Sequence, residues 1–188
     1  VLTIDADHLD YFKNIENIRR SFHKFAENIA EGGALVINAD IPNYKDIISG
    51  LKPRIITYGS RSLAPDVRAE AIKVSSDGAY SFDVYYHDSL ECRVSLKIPG
   101  RHNVDNALAA FAAAKVFDID NKYIAEGLER YTGTDRRFQY KGKFGGVTVI
   151  DDYAHHPTEV KATLAAAKNI EKNKLWCVFQ PHTYSRTY

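Results

Sequence analysis

Gly146-Val147-Thr148-Val149-Ile150-Asp151-Asp152-Tyr153-Ala154-His155-His156-Pro157-Thr158-Glu159 passes from an apolar, strand-like run directly into titratable side chains, and then into a proline that opens a helix. In an open α/β sheet the carboxyl ends of the strands are where ligands bind. The arrangement repeats one helix-length later. Residues 175–179 are apolar and are followed by Gln180-Pro181-His182-Thr183-Tyr184-Ser185-Arg186. Two such strand edges are expected to face one crevice, and the chain reads as part of an enzyme.

Next along the chain, residues 160–172 continue the helix opened by Pro157, with Val160, Leu164 and Ala167 on one face. On the amino-terminal side, residues 138–144 form another strand candidate. The segment Thr132-Gly133-Thr134-Asp135 has the composition of a linker. Two helices are expected before it, over residues 103–117 and 121–131. Residues 67–74, 81–86 and 92–98 alternate in a strand pattern and are separated by Ser76-Asp77-Gly78 and His87-Asp88-Ser89, an antiparallel meander. Earlier still, residues 34–38 and 54–58 are short apolar strands with a short helix over 43–50 between them. Residues 11–31 carry Phe12, Ile15, Ile18, Phe22, Phe25 and Ile29 at helical spacing up to Gly32-Gly33, and residues 1–4 read as a first strand. Strands alternating with helices predict parallel βαβ units. The expected fold is therefore α/β: a mostly parallel sheet with flanking helices plus a small antiparallel meander, then a second, partial Rossmann-like unit. The boundary is expected near residues 132–136.

Composition narrows the function classes. A net charge of +1 argues against a nucleic-acid or membrane surface. No apolar stretch reaches the roughly 18–20 residues needed to span a bilayer. Cys92 and Cys177, both in apolar runs, read as small core residues in a reducing, cytoplasmic setting. The chain opens on an apolar run with no signal peptide before it and stops just after a strand edge. Both ends are expected to be cuts through a larger protein.

Several local clusters carry chemistry, each with a plainer reading beside it. Asp5-Ala6-Asp7-His8-Leu9-Asp10 is either an acidic helix start or a Mg²⁺- or phosphate-proximal site. Ile98-Pro99-Gly100-Arg101-His102-Asn103-Val104-Asp105-Asn106 ends a strand and begins a helix. Asn103 and Asn106 share its first turn, either as a cap with a solvated neighbour or as part of a ligand site. Asp135-Arg136-Arg137-Phe138 is a surface arginine pair or a phosphate clamp at the domain junction. Asp151 and Asp152 are costly to hold adjacent without a cation or ligand nearby. His155 and His156 have no companion at a zinc-motif spacing. A phosphate-cradling Gly-x-x-x-x-Gly-Lys-Ser/Thr loop is absent; the only Gly-Lys pair, Gly142-Lys143, is followed by Phe144.

Taken in order, residues 5–11, 98–106, 133–138, 151–160 and 179–186 resemble the Mur ligase family. The resemblance implies that residues 1–133 are the later part of the family's central ATP-binding domain, and that residues 134–188 begin its C-terminal Rossmann-like domain. It implies ATP and Mg²⁺ as cofactors and an ATP-dependent ligase that forms an amide through an acyl phosphate in peptidoglycan precursor synthesis in the cytoplasm. The run Asp-Asp-Tyr-Ala-His-His-Pro-Thr together with Phe-Gln-Pro-His-Thr-Tyr-Ser-Arg points to the branch that joins L-alanine to UDP-N-acetylmuramate. The murein tripeptide recycling ligase is the alternative within the family, and a non-catalytic nucleotide-binding module the alternative outside it.

By the same resemblance His8 is similar to the histidine at the second Mg²⁺. His102 and Asn103, with Asn106 nearby, are similar to the adenine-contacting set. Arg137 corresponds to the arginine reaching ATP from the junction, and Asp152 to the aspartate near the ribose. Tyr153, His155 and Arg186 correspond to residues facing the amino acid and the acyl phosphate. A carbamylated lysine found in other members has His23 at its position here. The ATP loop and the UDP-binding domain are expected upstream of residue 1, so the isolated chain is expected to be inactive.

Overall fold

A computed structural model describes residues 1–62 and 64–181. Its main body is one five-stranded sheet in the order β1-β2-β3-β4-β5. Strands β1 (Ala34–Asn38), β2 (Arg54–Gly59) and β3 (Val67–Val74) pair in parallel. β3, β4 (Ala79–Tyr86) and β5 (Ser89–Pro99) pair antiparallel. The parallel strands and the meander are thus continuous, with β3 bonded to both.

Two apolar clusters explain why the sheet holds its helices. Leu35 and Ile37 of β1 point to one face, where they pack with Ala26 of α2 (Ile15–Glu27) and Ile47 of α3 (Tyr44–Ile48). Ile56, Tyr58, Val67, Phe82, Val84 and Val94 point to the other face. There they meet Val104, Leu108 and Phe111 of α4 (His102–Val116) and Ile124 of α5 (Asn121–Arg130). Alternation along each strand sends successive side chains to opposite faces, so the central strands of an α/β sheet serve two cores at once. Lys115 Nζ donates to Glu91 (3.2 Å) and Asn121 (3.1 Å), and Asn121 Nδ2 donates to Glu91 (2.6 Å), which ties β5, α4 and α5 together.

The expected helix over residues 11–31 is two helices, α1 (Leu9–Phe12) and α2. Asn14 breaks it: with an extended backbone, its side chain accepts the Asn17 N–H at 2.9 Å and caps α2. Residues 1–4 do not form a regular strand. They lie beside β1, with Asn38 N–H donating to Val1 O (3.1 Å) and Asn38 Nδ2 to Leu2 O (3.2 Å).

Beyond the linker, β6 (Gln139–Phe144) and β7 (Val147–Asp151) form an antiparallel hairpin, followed by α6 (Pro157–Lys168). Residues 175–179 are not paired as a strand, contrary to the sequence expectation. Trp176 and Val178 are exposed, and so is Cys177, which is therefore no core residue. A strand exists only through a neighbour's hydrogen bonds, and among the described residues none lies alongside this run. Cys92 is half-buried on β5.

Candidate active site

The C-terminal ends of β1 and β2 lie side by side because the strands are parallel and in register, Asn38 opposite Tyr58. Asp40, two residues past β1, has a side chain that is only 3% exposed. Its carboxylate accepts the backbone N–H groups of Ser60 and Arg61 at 3.2 Å and the Ser62 hydroxyl at 2.5 Å, with Arg61 Nε at 3.4 Å. Burial works to raise its pKa, but these donors outweigh it and hold the carboxyl below its ordinary value. Ser60 in turn donates its hydroxyl to Asp105 on α4. Asp105 has no comparable set of donors, and burial pushes its carboxyl above the ordinary value. A cleft of about 680 Å³ opens here, lined by Asp40, Asn43, Tyr44, Lys45, Arg61 and Ser62.

Of these residues only Asp105 lies in a cluster that the sequence marks for chemistry. The signal was present: Asp40 and Ser60 each follow an apolar strand, as Asp152 does.

His102, Asn103 and Asn106 occupy the first turns of α4. Asn103 Nδ2 donates back to Pro99 O at 2.7 Å and its Oδ1 accepts from Asn106 Nδ2 at 3.1 Å, so the two asparagines act as a joined pair. Gly100 makes the turn into the helix at φ 104°. A Cβ there would stand 2.6 Å from His102 Cε1 and 3.3 Å from Ala166 Cβ. His102 keeps a solvent-facing edge, while packing around its ring lowers its pKa. The Asp152 and Asp105 carboxylates oppose that shift and the Arg137 charge adds to it. The charges of Arg137 and Asp152, from beyond the linker, are thus both felt at the His102 ring.

Asp152 is held by two backbone donors, Phe138 N–H at 2.9 Å and Ala154 N–H at 2.7 Å. Tyr153 N–H donates to Arg136 O at 2.7 Å, and the Arg136 guanidinium stacks 4.4 Å above the Tyr153 ring. Tyr153 is exposed and meets His155 edge-on at 5.1 Å. His155 Nδ1 contacts Tyr153 O at 3.0 Å.

His8, with a left-handed backbone at φ 54°, begins α1 without capping it through its side chain, which is 67% exposed and 3.7 Å from Asp7. Among the described residues no group of three His, Cys, Asp or Glu side chains converges to hold a metal. The His8 loop is nonetheless joined to the second half of the chain: Asp5 Oδ2 accepts the Thr158 hydroxyl at 2.6 Å, and the His156 ring lies 3.7 Å from the same oxygen. His23 contacts Ile47 O at 2.7 Å and so links α2 to α3. Arg186 and His182 lie outside the described residues. No helix among the described residues is long and apolar enough to cross a membrane.

Comparison with known proteins identifies the family. Residues 1–114 match the Mur ligase middle domain, and residues 136–187 match the Mur ligase glutamate ligase domain. The chain is 49% identical over 187 residues to a UDP-N-acetylmuramate–L-alanine ligase from Clostridium acetobutylicum. That match takes in 100% of the chain and 40% of the relative, so the chain spans well under half the length of the curated relatives it matches. Among solved structures, MurF from Acinetobacter baumannii superposes with a TM-score of 0.80 at 26% identity, over 90% of this chain and 37% of that one. The UDP-N-acetylmuramate–alanine ligase of Thermotoga maritima superposes with a TM-score of 0.73 at 28% identity, over 90% and 37%. With the middle-domain match alone covering more than half of its residues, the chain belongs to the Mur ligase family.

Proposed function

We propose that this chain is the part of an ATP-dependent ligase that closes around the nucleotide and the acyl group, and that the whole protein joins L-alanine to UDP-N-acetylmuramate in peptidoglycan precursor synthesis in the cytoplasm. In this reading residues 1–133 belong to the central domain and residues 134–188 begin the C-terminal one. The observation that carries it is that the two sides of the linker touch at the site: Thr158 donates to Asp5 at 2.6 Å, and the His102 ring feels the charges of Arg137 and Asp152. The 49% identity across the whole chain to a ligase of that name supports the choice of substrates.

The chemistry has two steps. A carboxylate oxygen of the sugar's lactyl group attacks the γ-phosphorus of ATP, and the bond to ADP breaks. The amine of alanine then adds to the acyl carbon, phosphate leaves, and the amine's proton is released. Both steps demand positioning and charge neutralisation more than covalent help from the protein.

His102, Asn103 and Asn106 hold the adenine at the start of α4. Arg137 reaches the phosphates from the junction, and Asp152 faces the ribose. Tyr153 and His155 border the incoming amino acid, and Arg186 pairs with its carboxylate. The solvent-facing His8, beside Asp7, would supply a protein ligand to Mg²⁺. When bound it would neutralise developing phosphate charge.

The test uses the full-length protein. ATP-dependent phosphate release is followed with UDP-N-acetylmuramate and L-alanine, glycine, L-serine or murein tripeptide. The expected result is the highest kcat/KM with L-alanine. Preference for the tripeptide would assign the protein to recycling, and failure to release phosphate with any of these amines would overturn the ligase reading.

A further inference from the structure

We propose that Asp5 and Thr158 are paired positioning residues: their hydrogen bond seats the amino-terminal end of α6 on the His8 loop and so aligns the two halves of the site. The proposal deepens the ligase reading and rests on it for its effect on turnover. The contact itself can be tested without it.

The two residues are 153 positions apart, yet Thr158 Oγ1 donates to Asp5 Oδ2 at 2.6 Å. Asp5 is preset for this. Its other carboxylate oxygen accepts the Ala6 N–H at 2.8 Å, and its carbonyl accepts the Asp7 N–H at 3.0 Å, so the local turn directs the side chain towards α6. On the other partner the geometry is equally determined. Pro157 fixes the first position of α6, His156 Nδ1 accepts the Thr158 N–H at 3.4 Å, and the Glu159 carboxylate accepts the His156 N–H at 3.5 Å. The Thr158 hydroxyl therefore leaves a capped helix start in a defined direction. The Thr158 hydrogen bond is the chief reason the Asp5 carboxyl lies below its ordinary value, so the acceptor is ionised at neutral pH.

The opposite end of α6 is docked by different means. Ala166 and Ala167 are buried, Asn169 Nδ2 donates to Tyr80 Oη at 3.1 Å, and Glu171 N–H donates to Ser76 O at 3.4 Å. Gly78 and Gly100 make room for it: a Cβ at Gly78 would stand 3.1 Å from Ile170, and one at Gly100 would stand 3.3 Å from Ala166. A 12-residue helix is about 18 Å long. One end is thus held by packing against the β3–β4 turn and the start of α4. The other is held by a charge-assisted hydrogen bond between partly exposed residues, with the His156 ring 3.7 Å from the same carboxylate oxygen. An apolar, buried contact resists opening, whereas a half-exposed polar contact exchanges readily with water. The Asp5–Thr158 end is the one free to open and close. Thr158 lies three residues after His155 and Asp5 three residues before His8, so closing it sets the distance between those two groups.

The experiment compares full-length protein with Thr158→Val, Thr158→Ser, Asp5→Ala and the Asp5→Ala/Thr158→Val pair. Hydrogen exchange is expected to quicken several-fold at residues 5–12 and 156–160 together in Thr158→Val and in Asp5→Ala. Thr158→Ser should keep the parent rate. In turnover, each loss is expected to lower kcat about 10-fold with the KM for ATP within twofold, and the double variant should be no worse than either single one. Unchanged exchange at the partner segment, or single effects that multiply in the double variant, would overturn the proposal. Thr158→Val is nearly isosteric on an exposed residue, so it remains informative if Asp5→Ala unfolds. A parent protein that shows no ligase activity but does show coupled exchange would separate failure of the function from failure of the contact.

Discussion

The Asp152 carboxylate reaches back across the β6–β7 hairpin to accept the Phe138 N–H at 2.9 Å, while its second oxygen accepts the Ala154 N–H at 2.7 Å. Phe138 and Arg136 both have left-handed backbones, φ 47° and 60°, and each costs roughly 1 kcal/mol for a residue with a Cβ. Arg137 lies between them, so the carboxylate that holds Phe138 also governs where Arg137 points. Replacing Asp152 by Ala leaves two backbone donors without their acceptor. The expected cost is about 1–3 kcal/mol in the stability of the junction. Limited proteolysis should cut faster near residues 134–138, and the KM for ATP in the full-length protein should rise.

Gly100→Ala should damage the start of α4 more than an ordinary surface substitution. The residue has φ 104°, and its Cβ would meet His102 and Ala166 at once. A loss of about 1–3 kcal/mol is expected. Thermal unfolding measures it. Gly127, within α5, has open space where a Cβ would stand, with nothing within 4 Å, so Gly127→Ala serves as the control and should gain up to about 1 kcal/mol.

Asp40 and Asp105 should give opposite pH dependences. The Asp40 carboxyl is held below the ordinary value of about 4, so the folded state binds its proton less tightly than the unfolded state does. Its contribution is complete above that value and is lost as pH falls through the lower, folded one. The Asp105 carboxyl is held above the ordinary value, so its effect on stability weakens the fold as pH rises from about 4 through the folded value. Asp40→Asn should therefore lower the Tm at pH 7 and flatten the acid limb. Asp105→Asn, which can still accept the Ser60 hydroxyl, should raise the Tm at pH 7. Denaturation followed from pH 3 to pH 8 tests both.

The Lys115–Glu91–Asn121 network should behave as a unit. Lys115→Met leaves Glu91, 15% exposed in its side chain, without its cation and should cost about 1–3 kcal/mol. Adding Glu91→Gln should recover part of that loss, because the remaining groups are then neutral. Chemical denaturation of the four-variant cycle measures the coupling.

The elements legible in the sequence are those whose signal is local. Ala34–Asn38 and Val67–Val74 match their apolar runs, and the turns at Asp77-Gly78 and His87-Asp88 match their residue types. Helix α6 begins at Pro157 as expected. Differences arise where two local signals compete or where pairing is needed. Asn14 overrides the helical period of residues 11–31 by capping a second helix. Residues 175–179 have the composition of a strand but no strand beside them. The sequence shows Asp40 and Ser60 each just past an apolar strand but not that they join, because Asp40, Ser60 to Ser62 and, through Ser60, Asp105 meet only when β1 and β2 pair in register.

Local sequence suffices for the α/β class, for the places where most strands and helices begin, and for the ordered motifs that mark a Mur ligase. These follow from side-chain periodicity, capping and turn chemistry, all of which act over a few residues. It does not suffice for the continuity of the meander with the parallel sheet, for the hold of Asp152 on the linker at Phe138, or for the meeting of Asp5 with Thr158. Each of those depends on contacts between residues far apart in the chain, whose directions are set by packing rather than by neighbouring sequence.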